Sequence, residues 1–254
     1  MVNRIGRTVG FTLIEMAVVL VVIGLVLSGG LVAVAPILQN SKVSETAGRI
    51  DRIEQALILY VIRYGCLPCP AANVNSSVIA NNPGQAIDDA VYPTGCANAA
   101  CAAGTGQGIV PWVNLGLSEA DITDGFGYRI DYAVVPALTL TNGMVRTPPA
   151  TYPVGNIAVN TSDAVPITTV AAYALVSHGP DRSRGFAAET GVQAADPNAS
   201  ANQTANGDNS NATPFVQNDL IDVNGANHFD DIVRWRTAPI VIQLCGSNAC
   251  GNPA

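Results

Sequence analysis

Residues 11 to 38 read FTLIEMAVVLVVIGLVLSGGLVAVAPIL, and from Met16 to Leu38 every residue is apolar, Gly, Ser or Pro. As a helix rising 1.5 Å per residue this run is about 35 Å long, enough to cross a bilayer's hydrocarbon core. Arg4 and Arg7 precede it with no acidic residue among them. The positive-inside rule then expects a single-pass helix over 11–38, N-terminus cytoplasmic and the rest exported. The run is longer than the roughly 7–15 residue core of a cleaved secretory signal.

The remainder is suited to an oxidising compartment and unsuited to nucleic acid. Six cysteines lie beyond the apolar run, and 19 acidic against 12 basic residues give a formal charge of −7. With 48% hydrophobic and 12% charged residues the chain can bury a core.

Helical periodicity continues past Pro36. Val43, Ala47, Ile50, Ile53, Leu57, Tyr60 and Tyr64 recur at steps of three or four, marking an amphipathic helix over 39–65 that enters the exported head, with Glu45 four residues before Arg49 and a stop at Gly65 and Pro68. Beyond Cys66 the pattern changes to short β-prone runs at 128–135, 156–159, 171–177, 232–235 and 240–244. The expected fold class is α+β, a long N-terminal helix packed on an antiparallel sheet in a head over 66–254. Long loops are expected at 73–108 and 193–211, the second reading as mobile from its Ala, Asn, Ser and Thr content.

Glu15 is the one acid within 11–38. A carboxylate there needs a partner or an escape to the interface. Gly10-Phe11-Thr12-Leu13-Ile14-Glu15, behind a short basic leader over 1–10 and before an apolar helix, resembles the processing site of type IV prepilins and type II secretion pseudopilins. The resemblance implies cleavage after Gly10 by a prepilin peptidase/methyltransferase and methylation of the new Phe11 amine. It further implies pairing of the Glu15 carboxylate with that amine on a neighbouring subunit. The implied partners are other pilin or pseudopilin subunits and an inner-membrane assembly platform; the implied place is the inner membrane, head in the periplasm, before assembly into a periplasmic or surface filament.

Further blocks resemble the major type II pseudopilin in order: Asp124-Gly125-Phe126-Gly127, then Ser177-His178-Gly179-Pro180-Asp181, then Asp230-Asp231-Ile232 with Trp235. Phe126 stands where that family has tryptophan and Gly125 where it has proline. No cofactor follows from the residues themselves, but this resemblance implies a structural calcium on Asp181, Asp230 and Asp231, with the His178 carbonyl as a further oxygen. Turn aspartates bonding nearby amides are the plainer explanation of the same residues.

Cys66-Leu67-Pro68-Cys69 has redox spacing, yet it follows a helix end, where the dipole does not lower a thiol pKa. A disulfide staple is the better reading, with Cys96/Cys101 and Cys245/Cys250 as similar local pairs; six cysteines leave 15 connectivities open. Ser177 and His178 adjoin on an expected strand and point to opposite faces, so no hydrolytic pair is expected. The resulting reading is a non-enzymatic subunit, minor or specialised, of a pseudopilus or pilus. Its rival is a membrane-anchored monomeric periplasmic binding or thiol-redox protein.

Overall fold

The computed structural model describes residues 10, 12–71, 95–96, 101, 107–146, 152–196, 200–207, 214–221, 225, 227–246 and 250, with the side chains of 26–37 outside that set. Phe11 lies outside the described residues, as does most of the loop expected at 73–108. The chain divides into two compact units, residues 1–41 and 42–254.

Helical backbone (α1, Leu13–Tyr64) starts at Thr12, whose backbone N and Oγ1 each donate to Glu15 Oε2 at 3.4 Å while Glu15 N donates to Thr12 Oγ1 at 3.3 Å. That reciprocal arrangement is a capping box, and it fixes where the helix begins. Two expectations about this region are corrected. Among the described residues no helix is long and apolar enough to cross a membrane, so the single-pass inner-membrane assignment and the transmembrane role of 11–38 do not hold. The helix also carries Glu15 in its first turn, a carboxylate that hydrocarbon disfavours.

In the second unit α1 docks by the expected stripe. Ile50, Ile53 and Leu57 are fully buried, as is Val61 outside the expected stripe, each such burial being worth about 1.5–3 kcal/mol, while Val43 at the stripe's start stays exposed. Glu45 pairs with Arg49 as its i,i+4 spacing predicts. Glu54 lies on the buried side and was not singled out by the pattern. It accepts from the Tyr173 hydroxyl at 3.1 Å and from Arg236 Nε and Nη2 at 2.8 and 2.9 Å, so one acid ties the helix to two strands.

The sheet contains β1 (Gln107–Ile109), β3 (Asp131–Val134), β4 (Ile157–Asn160), β5 (Pro166–Ser177), β7 (Phe215–Val216) and β8 (Ile232–Thr237), with order β1-β3-β5-β4-β7 and β8 also on β5. It is mixed rather than antiparallel throughout: β7 runs parallel to β4, Val159 opposite Phe215. A separate ribbon pairs β2 (Tyr128–Arg129) with β6 (Phe186–Ala187). Two short helices, α2 (Glu119–Ile122) and α3 (Ala201–Asn206), and a 3-10 turn at Pro136–Thr139 fill the connections. The second half of β5 is central, Leu175 lying between Tyr132 and Arg234, which explains its unbroken apolar run from Ala171 to Val176.

Residues 240–244 do not form the expected strand. They belong to α4 (Ala238–Leu244), because Pro239 in the first turn presets a helical φ and has no N–H for a ladder, while Val241 faces the core. Nor is all of 193–211 loop: α3 closes there with Gln203 and Asn206 fully buried.

The Asp124-Gly125-Phe126-Gly127 block is the seat of α1. Gly125 N donates to Thr46 Oγ1 at 3.0 Å, and a Cβ on Gly125 would lie 2.5 Å from the Lys42 carbonyl oxygen. Only glycine permits that approach. Gly125→Ala is therefore expected to cost about 1–3 kcal/mol in thermal unfolding, and an unchanged melting temperature would contradict this packing.

Candidate functional site

The strand ends carry the chemistry. β5 finishes in Ser177 with His178 directly after it, β8 begins just after Asp230 and Asp231, and Asp131 opens β3 beside them; all five are buried. They divide into two adjoining clusters.

The first surrounds His178. Its Nε2 lies 3.1 Å from Asp131 Oδ2 and its Nδ1 3.8 Å from Asp231 Oδ1, with both side chains essentially inaccessible. Burial alone would lower the imidazole pKa, but Asp131, Asp231 and Asp124 outweigh it and raise the group to about 9. Burial also moves Asp231 up to about 7, against the pull of His178 and a 2.7 Å hydrogen bond from Asn206 Nδ2. For the His178–Asp131 pair the upward imidazole shift is decisive, since three carboxyl groups share one ring; burial pushes Asp131 up as well.

Ser177 does not pair with its neighbour. Its hydroxyl donates to Asp124 Oδ2 at 2.7 Å, and Asp124 Oδ1 accepts from the amides of Phe126 and Tyr128, each at 2.9 Å. Asp124 thus shapes the loop that receives α1.

The second cluster joins Asp181, His228 and Asp230, whose ligand-type atoms all lie within 4.8 Å of one another. His228 Nε2 is 3.1 Å from Asp181 Oδ2 and 3.6 Å from Asp230 Oδ2. Asp230 Oδ2 accepts from the Asp181 amide at 2.8 Å, and Gln203 Nε2 donates to Asp181 Oδ2 at 3.1 Å and Asp230 Oδ1 at 2.6 Å. Burial, with Asp181 alongside, raises the Asp230 carboxyl to about 6. Gly179, at φ +60°, makes the turn possible: a Cβ there would meet the Asp230 carbonyl oxygen at 2.2 Å.

Of the implied calcium ligands, then, Asp181 and Asp230 converge and Asp231 does not; it turns to Asn206 and His178. The His178 carbonyl accepts from Arg182 N at 3.1 Å. Gln203, Asn206 and His228 were missed by the sequence reading. The first two sit i,i+3 in a stretch that composition marked as loop; His228 stood two residues before Asp230, and that proximity was the available signal.

The disulfides cross rather than close locally at the first two sites: Cys66–Cys96, Cys69–Cys101 and Cys245–Cys250. Only the last is the local pair expected. Cys66 and Cys69 flank the turn after α1, where Leu67 N donates to the Leu138 carbonyl at 3.0 Å, and each is bonded to a chain segment some thirty residues on. They are not a mutual redox pair.

At the N-terminal end Gly10 and Glu15 are exposed, and Leu13 to Leu25 presents its large apolar side chains at 45–91% exposure. Comparisons with protein-family models, curated proteins and solved structures find no match. The likeness to prepilins therefore rests on the quoted residues alone.

Proposed function

We propose that this chain is a structural subunit, minor or specialised, of a filament of the pilin and pseudopilin kind, cut after Gly10 by a prepilin peptidase and assembled through its N-terminal helical stretch. One observation carries the reading. A run of exposed apolar side chains from Leu13 to Leu25 carries an exposed carboxylate, Glu15, as its third residue, five positions after Gly10, a glycine that suits a protease site. An apolar helical surface of this kind gains by packing against like helices, and Glu15 supplies the charge that selects a cationic partner. The Phe11 amine freed by cleavage is that cation, on a neighbouring copy or homologous subunit. The disulfide-stapled head then provides lateral contacts, and its buried acid clusters hold the ends of the central strands.

Glu15 has a local role too, as the acid of the capping box, and two substitutions separate the roles. Glutamine keeps a capping side chain and loses the charge; leucine loses both. The filament reading expects both Glu15→Gln and Glu15→Leu to abolish recovery of the subunit in sheared, sedimented filaments while cleavage after Gly10 continues. Assembly of the glutamine variant at the native level would show that Glu15 only caps the helix.

A further inference from the structure

The second acid cluster has a feature that turn aspartates do not explain. His228 is 4% exposed and both its ring nitrogens lack a hydrogen-bond partner among the described residues, although Nε2 lies 3.1 Å from one carboxylate oxygen and 3.6 Å from another. The ring is close to the acids without being aimed along a hydrogen bond to either. Gln203 is fully buried, and while its Nε2 bridges both carboxylates, its Oε1 has no partner among the described residues. Unpaired buried nitrogen and oxygen atoms cost stability unless something else satisfies them.

Donor atoms that converge on a common point, rather than on each other, are arranged for a cation. Around a tetrahedral ion with bonds of about 2.1 Å, neighbouring donors stand roughly 3.4 Å apart, and the two imidazole-to-carboxylate separations bracket that spacing. Calcium takes six to eight hard oxygens, whereas a neutral imidazole belongs to zinc and its transition-metal neighbours. The oxygen set that the pseudopilin resemblance implied is not assembled here, since Asp231 and the His178 carbonyl are engaged elsewhere.

We infer that Asp181, His228 and Asp230 form a structural zinc-class site, with the Gln203 side-chain amide as the fourth position. The Gln203 amide nitrogen donates to both acids; a half-turn of the amide presents Oε1 to a cation instead, a change of donor for acceptor with no change of shape. The ion would tie the turn after β5 to the segment entering β8 and to α3. It would therefore hold three connections at the same end of the sheet. This inference does not depend on the filament reading, because it concerns the head alone.

The test uses the full chain, stripped with chelator and titrated with Zn²⁺ or Ca²⁺. The expected result is one zinc per chain, a zinc-edge X-ray absorption spectrum with imidazole scattering, and retention of zinc in millimolar calcium. His228→Gln should weaken zinc by at least the roughly 10–100-fold typical of groups that merely steady a ligand. Gln203→Glu, which adds a carboxylate oxygen, should tighten it. If His228→Gln fails to fold, the absorption spectrum of the native chain still decides. Zinc bound without a nitrogen neighbour, displacement of zinc by calcium, or no saturable zinc binding would overturn the assignment.

Discussion

Asp131→Ala is expected to lower the free energy of unfolding by about 3–5 kcal/mol, the usual cost of removing one partner of a buried ion pair. The carboxylate faces His178 at 3.1 Å with both side chains essentially out of solvent, so its loss leaves an imidazolium facing only the more distant Asp231 and the partly committed Asp124. The pair also sets a pH dependence. His178 titrates at about 9 in the fold against 6.5 when unfolded, a difference corresponding to roughly 3 kcal/mol. Because the folded value is the higher, this stability is present in full below about pH 6.5 and is lost as the pH climbs through 9. Urea unfolding at pH 6.5 and 9.5 measures it: the native chain should weaken markedly at the higher pH, and Asp131→Asn should start lower and decline less. A native chain equally stable at both pH values would show that His178 is neutral in the fold.

Removing the two disulfides that follow α1 is expected to have an effect of similar or larger size. Cys66–Cys96 and Cys69–Cys101 each close a loop of about thirty residues, for which chain entropy gives about 3–4 kcal/mol. Their loops overlap, so once one is closed the other adds less. The fourfold change to alanine should cost about 4–6 kcal/mol, a large share of the ~5–15 kcal/mol that holds a typical domain. By comparison, Cys245→Ala with Cys250→Ala opens a loop of five residues and should cost about 2 kcal/mol. The ranking is checked by melting each variant under the same conditions; equal losses for the two would mean that the first pair of bridges adds little constraint. Alanine avoids burying hydroxyls, since Cys66, Cys69 and Cys101 are all within the core.

Much of the head was written in periodicity. Ile50, Ile53 and Leu57 recur at helical steps and reach zero exposure, and the apolar run from Ala171 is the central strand. Where periodicity misled, a local rule was outweighed by another. Ile240, Val241 and Ile242 have strand propensity, but Pro239 starts a helix. The mixed sheet arises because two residues, Phe215 and Val216, pair in parallel with β4, too short a segment to leave a pattern. The membrane-spanning expectation rested on hydropathy from 11 to 38, and the described helix supplies no span of that length and apolarity.

Site chemistry was legible in its acids and not in its partners. Asp181 and Asp230 were identified, yet the residues that meet them, Gln203 in α3 and His228 before β8, come from two separate segments without regular pattern, so only the folded arrangement joins them. Crossed disulfides are illegible for the same reason: Cys66 and Cys69 are near in sequence, but their partners are chosen by where the chain returns.

The proposed role depends most directly on one event, cleavage between Gly10 and Phe11, and intact mass with N-terminal sequencing of the chain recovered from producing cells measures it. The filament reading predicts a mature chain beginning at N-methylated Phe11, lost when the prepilin peptidase is deleted. A chain that retains residues 1–10, or one cut elsewhere, would contradict it.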